Sequence, residues 1–178
     1  MMPNHEQQIA ENEAQLKKEG IQALSIGALA PPLTGATDAA GAPVVLADLL
    51  AQHKTGVVLF FFPALDTPNS NGNLADLDRR RSALEAQGLG VYAVCPAAPA
   101  AATAYFQQLG ISLPLLADPS GTLAQAYGCL ASGGQFPQRT VAVVGDKAGI
   151  VYFHRGPLDQ PAQAAMEKAL GLTTAPSK

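Results

Sequence analysis

Six consecutive residues, Val57-Val58-Leu59-Phe60-Phe61-Phe62, are apolar without alternation, and Pro63 follows them directly. The run is far shorter than the ~18 apolar residues a membrane span requires. Its β-branched and aromatic content predicts an extended strand buried on both faces. Such a strand needs a layer of structure above and below it, so the chain is expected to fold as an α/β domain. The next segment agrees. Leu74, Leu77 and Leu84 recur at helical spacing and predict a helix from about Ser70 to Gln87, closed by Gly88 and Gly90. Val91 to Val94 then forms a second apolar strand. Strand, helix and strand in that order imply two parallel strands.

The flanks follow the same logic. Residues 4–19 predict a short helix with Asn4 as its cap, Gln7 at the box position and Gly20 as its stop. Its apolar face is thin, as in an appendage or packing arm. Val44 to Leu46 reads as a short strand, and Ala47 to His53 as a short helix. Pro99 to Leu109 and Ser120 to Tyr127 predict helices, with an extended piece from Leu113 to Leu116 between them. Thr140 to Gly145 and Ile150 to His154 are strands joined by Asp146-Lys147-Ala148-Gly149, a connection so short that it requires an antiparallel hairpin. A last helix covers about Gln160 to Leu170. A parallel βαβ half followed by an antiparallel ββα half is the plan of the thioredoxin fold, a mixed sheet flanked by helices. The expected organisation is a helical extension over residues 1–22, one domain over 23–172 and a tail over 173–178.

At 178 residues, with 48% apolar and 14% charged residues, one core suffices and wholesale disorder is excluded. A net charge of −3 provides no footprint for nucleic acid. The basic run Arg79-Arg80-Arg81 shares its helical pattern with Asp76, Asp78 and Glu85, which is the signature of a solvated face. No segment has the length of a membrane span, and Met1 to Leu16 lacks a signal-peptide core. The expectation is therefore a cytoplasmic protein, with no membrane or nucleic-acid partner, acting as a monomer or homodimer. Two cysteines, Cys95 and Cys129, are too few for a disulfide scaffold and form no metal spacing, so neither metal nor cofactor is expected.

In α/β sheets, function gathers beyond the carboxyl ends of the strands. The turn after Phe62 reads Pro63-Ala64-Leu65-Asp66-Thr67-Pro68-Asn69-Ser70. Residue 70 is expected to open a helix, where free N–H groups and the positive dipole end lower the pKa of a thiol. The segment Phe61 to Pro68 resembles the peroxidatic loop of peroxiredoxins, which reads Pro-x-x-x-Thr-x-x-Cys. The type it resembles is the bacterioferritin comigratory protein (PrxQ) branch of the alkyl hydroperoxide reductase/thiol-specific antioxidant family. Gly41 to Leu46 resembles the early hairpin of that family. Leu115 to Gly121 with Ala126-Tyr127-Gly128 resembles its middle segment, and Arg139-Thr140 with Asp146 and Gly149 its late hairpin. The resemblance covers about residues 25–155.

What the resemblance implies is a thiol-dependent peroxidase that takes a hydroperoxide or another small ligand and a thiol reductant. Pro63 would shield the site from water, Thr67 would orient the peroxide, and Arg139 would stabilise a thiolate and polarise the O–O bond. The nucleophile position falls on Ser70. A serine hydroxyl forms no sulfenic acid and is hardly ionised at neutral pH. The surrounding residues, Asn69-Ser70-Asn71-Gly72-Asn73, depart at four positions from the family's Gly-Cys-Thr-x-Glu, whereas a designed exchange would change one. The reading is a natural loss of the peroxidatic thiol in a protein that keeps the fold as a binding or regulatory module. The alternative is a working peroxidase, either as a cysteine-to-serine variant or with Cys95 or Cys129 in the role.

Each residue also has a plainer reading. Cys95 ends a strand and is expected to sit at the same sheet edge as Ser70, behaving as a small buried apolar residue. Cys129 precedes Ser132-Gly133-Gly134, where exposure would suit a redox thiol and an incidental loop position serves equally. The position five after Ser70, where the family's resolving cysteine often lies, is Ala75. Thr67 makes a turn with Asp66 and Pro68, Pro63 ends a strand, and Arg139 pairs on the surface; their joint spacing carries the functional reading. Hydrolysis by Ser70 would need one of His5, His53 or His154 at its hydroxyl.

Overall fold

The computed structural model describes residues 5–21, 24–131, 133 and 137–172, with the side chains of residues 5, 6 and 9 left aside. The elements run α1 His5–Lys18, α2 Leu46–Gln52, β1 Gly56–Phe61, α3 Pro68–Ala86, β2 Leu89–Cys95, α4 Pro99–Leu109, β3 Leu115–Ala117, α5 Thr122–Ala126, β4 Thr140–Gly145, β5 Ile150–Arg155 and α6 Gln160–Ala169. The sheet order is β3-β2-β1-β4-β5. β1 pairs parallel with β2 and antiparallel with β4, β2 pairs parallel with β3, and β4 pairs antiparallel with β5. This is the α/β thioredoxin-like sheet expected from the order of elements.

The apolar run lies at the centre. Alternate residues along β1 and Phe62 just after it feed two cores. Val58, Phe60 and Phe62 pack with Leu74, Leu77 and Leu84 of α3 and with Ala102, Tyr105 and Phe106 of α4. Val57, Leu59 and Phe61 pack on the opposite side with Leu46 and Leu49 of α2 and Leu123 of α5. Full burial of one such side chain contributes roughly 1.5–3 kcal/mol, which explains why the strand tolerates no polar residue on either face.

The structure corrects three expectations. Val44 to Leu46 is not a strand: Pro43 makes a single bridge to Thr37, and Leu46 already begins α2. Proline has no N–H to extend a ladder, and no neighbouring strand runs alongside. Next, α3 starts at Pro68 rather than at Ser70, because Thr67 caps it and proline suits the first helical position. Lastly, the extended piece expected from Leu113 to Leu116 is the strand β3, with its bounds moved to Leu115–Ala117 by its register with Ala93 to Cys95. The proposed Asn4 cap and the 173–178 tail lie outside the described residues.

α1 packs on the domain despite its thin apolar face. Leu16 is fully buried. Arg155 of β5, almost wholly buried, donates to Glu13 of α1 and to the Gly128 carbonyl. Glu19 accepts from the Gly133 amide at 2.7 Å. Among the described residues no helix is long and apolar enough to cross a membrane.

Candidate active site

The loop between β1 and α3 lies at the carboxyl end of the central strand. Asp66 adopts a left-handed conformation (φ 56), one that aspartate tolerates better than most residues. Thr67 then serves as N-cap: its Oγ1 accepts from the Ser70 amide at 3.3 Å. Ser70 is thereby the third residue of α3, and its side chain leans back towards the positive end of the helix. It is buried, with 1% exposure, and its Oγ has no hydrogen-bond partner among the described residues.

Arg139 arrives from the other direction. Thr140 pairs with Phe61 in the antiparallel register, so Arg139 stands just beyond the end of β1. Its Nη1 donates to Asn73 Oδ1 at 2.9 Å, one helical turn after Ser70. The fold thus brings Thr67, Ser70 and Arg139 to the first two turns of α3. No carboxylate pairs with Arg139 among the described residues. Pro63 borders a cavity of about 320 Å³ whose walls also include Leu65, Pro96, Asp118 and Pro137.

Two residues that the sequence reading did not assign hold this loop. Asn71 Nδ2 donates to Asp66 Oδ1 at 3.4 Å, and the Tyr105 hydroxyl of α4 donates to Asn71 Oδ1. Burial pushes the Tyr105 phenol up from its ordinary range, so it stays a donor. Asn73, the Arg139 partner, was readable only as three residues from Ser70 and hence on the same helix face. Its contact with Arg139 spans 66 residues and has no local signal.

The thiols stand apart from this arrangement. Cys95 ends β2 at the expected sheet edge, but its side chain faces the core with Phe62 and Tyr105. Cys129 corrects the expectation of an exposed loop thiol. It is fully buried with Phe61 and Ala142, because its amide donates to Ala124 O and its carbonyl accepts from Gln138 N. Burial pushes both thiol pKa values well above the ordinary 9.0, and so disfavours the thiolate. His53 bonds Tyr92 at 2.9 Å and His154 stacks on Tyr152. Neither gives Ser70 a base, since the Ser70 hydroxyl has no partner. Among the described residues no cluster of three or more His, Cys, Asp or Glu could hold a metal.

Known proteins share this frame. Two curated proteins of Mycobacterium tuberculosis strains, both named as peroxiredoxins, are 30% identical over 105 residues, covering 59% of this chain. The chain spans 64% of the length of these relatives. The crystal structure of peroxidoxin BcpB from M. tuberculosis superposes with a TM-score of 0.70 at 20% identity, covering 85% of this chain and 99% of that one. A cysteine-to-serine mutant of Xylella fastidiosa PrxQ superposes at 0.68 and 18% identity, covering 83% of this chain and 96% of that one. These likenesses establish the shared fold. The model of the AhpC/TSA family matches residues 26–153, from the N-terminal loop into β5 and including the whole β1–α3 loop, and the chain belongs to that family.

Proposed function

We propose that this chain is a peroxiredoxin-like protein that has lost thiol peroxidase turnover and keeps its pocket as a binding or regulatory module. In this reading Ser70 occupies the peroxidatic position, Thr67 and Arg139 line the pocket, and Pro63 shields it. Residues 23–172 form the domain and residues 1–22 an N-terminal helical extension. The protein works in the cytoplasm as a monomer or homodimer.

The observation that carries the reading is the hydroxyl at the third position of α3, buried and without a base. A thiolate there would be held by the helix end and oxidised by peroxide; an alcohol does neither. The burial of Cys95 and Cys129 supports the same conclusion, because a peroxide-reactive thiol needs both access and thiolate character. The test is hydroperoxide consumption with dithiothreitol or a thioredoxin as reductant. No rate above the protein-free control is expected. A robust rate abolished by thiol alkylation overturns the proposal.

A further inference from the structure

We propose that the open edge of β3 at Leu115, with the groove between it and α2, docks an extended peptide segment of a partner protein that carries lysine or arginine. The site is separate from the β1–α3 loop, since none of Thr67, Ser70 and Arg139 borders it. The proposal holds whether or not position 70 supports turnover.

The backbone leaves one position of the edge empty. In the parallel pairing of β2 with β3, Ala93 N donates to Pro114 O and Asp118 N donates to Cys95 O. Successive residues of a strand turn their amides and carbonyls to opposite sides. Pro114 and Leu116 therefore face β2, whereas Leu115 and Ala117 face outward. Ala117 is satisfied there, because it exchanges both backbone bonds with Thr37, at 2.7 and 3.1 Å. Antiparallel continuation would set residue 39 opposite Leu115. The chain does not continue: Asp38 Oδ1 accepts from the Ala40 and Ala42 amides, at 2.9 and 3.0 Å, and folds it back. Among the described residues the Leu115 N–H and C=O have no partner. An unpaired donor and acceptor on a sheet edge is the template that strand addition uses.

The groove beside that edge defines the side chains of the partner. Leu115 borders a cavity of about 400 Å³ together with Val44, Leu49, Tyr92 and Leu116. Two carboxylates, Asp38 and Asp48, also line it, and neither has a basic partner among the described residues. Arg81, whose charge reaches Tyr92, is held by Glu85 at 2.7 Å. Apolar walls beside two unmatched acids fit a lysine or arginine side chain, whose methylene stem lies on the walls while its cation reaches the acids. A second copy of this chain is a poorer occupant. Pairing edge to edge about Leu115 would bring the same acids together in a chain whose net charge is already −3.

The experiment titrates the full chain with a blocked pentapeptide of alternating threonine and lysine, and follows amide chemical shifts and hydrogen exchange. Saturable binding is expected, with shifts centred on Leu115, Leu116 and Asp48 and slower exchange of the Leu115 amide. Only alternate amides of a strand face one edge, so N-methylation of the threonine amides and of the lysine amides should differ: one isomer binds and the other does not. The glutamate counterpart should not bind. Asp48→Asn should weaken the lysine peptide about two- to fivefold. Gln52→Lys, which sets a cation one turn after Asp48 in the same groove, should weaken it about five- to tenfold. Both positions are exposed on α2, and the spectrum of each variant reports that it is folded. Equal binding of the two methylated isomers shows charge attraction without strand addition and overturns the proposal. A non-saturating response to the lysine peptide, saturable binding of the glutamate peptide, unchanged affinity in both variants, or a dimer in sedimentation whose Leu115 amide is already protected overturns it equally.

Discussion

Replacing Ser70 by alanine should make the protein more stable, against the usual direction of mutation at a buried position. The hydroxyl is buried and without a partner. An unsatisfied buried polar group costs about 1–3 kcal/mol, and removing it recovers that cost. Alanine also gains roughly 0.5 kcal/mol of helix propensity over serine. The void left by one oxygen, roughly 10–15 Å³, subtracts only about 0.3 kcal/mol at about 24 cal/mol per Å³. The net expectation is a gain of about 1–3 kcal/mol, or roughly 2–12 °C in Tm for a domain of this size. Thermal and urea unfolding followed by circular dichroism measures it. An unchanged or lowered Tm would mean that the hydroxyl has a partner in solution, and the orphan-hydroxyl reasoning would fail.

Other consequences follow from the same geometry. Both cysteines should resist alkylation in the native protein and react only in denaturant, as mass spectrometry after iodoacetamide would show; a native thiol reacting at the rate of a free one contradicts their burial. Because burial raises their folded pKa values, the unfolded chain loses these protons first as pH rises through about 9. Stability should then fall with rising pH by up to roughly 1.4 kcal/mol per unit for each thiol, and urea titrations of Cys95→Ala and Cys129→Ala should show a shallower slope. Glu13→Ala leaves the Arg155 charge buried with the Gly128 carbonyl as its chief acceptor, so it should cost about 1–3 kcal/mol. Arg79→Ala, which removes only its exposed pair with Asp76, should cost less than about 1 kcal/mol; a urea midpoint equal for the two variants would refute the difference. Ala148→Gly should stabilise the hairpin by about 0.5–1 kcal/mol, because residue 148 has φ 65; a loss in urea unfolding would contradict this.

The residues disclosed the centre of the fold more readily than its edges. The Val57 to Phe62 run, the Leu74, Leu77 and Leu84 spacing and the four-residue turn after Gly145 report local periodicity, and the sheet was legible from them. Pro99 to Leu109 appeared with both boundaries correct because proline opens the helix and Gly110 closes it in a left-handed conformation. Where the outcome depended on distant chain, the pattern was silent. Cys129 looked exposed beside Ser132-Gly133-Gly134, yet it lies in the buried cluster with Leu59 and Phe61 of β1, about seventy residues earlier. α1 looked weakly attached because its anchor, Glu13 to Arg155, spans 142 residues. Thr67 and Ser70 declared their relation through helix-start spacing, whereas the Arg139–Asn73 and Tyr105–Asn71 contacts arise only in tertiary structure.

The most direct test compares hydroperoxide consumption by the wild-type chain and by Ser70→Cys under one reductant. Activity that appears only in the cysteine variant is the predicted result, since the substitution supplies the sulfur that peroxide would oxidise at the helix start. Alkylation-sensitive turnover by the wild-type chain, or an inert Ser70→Cys protein with a native fold, would contradict the account.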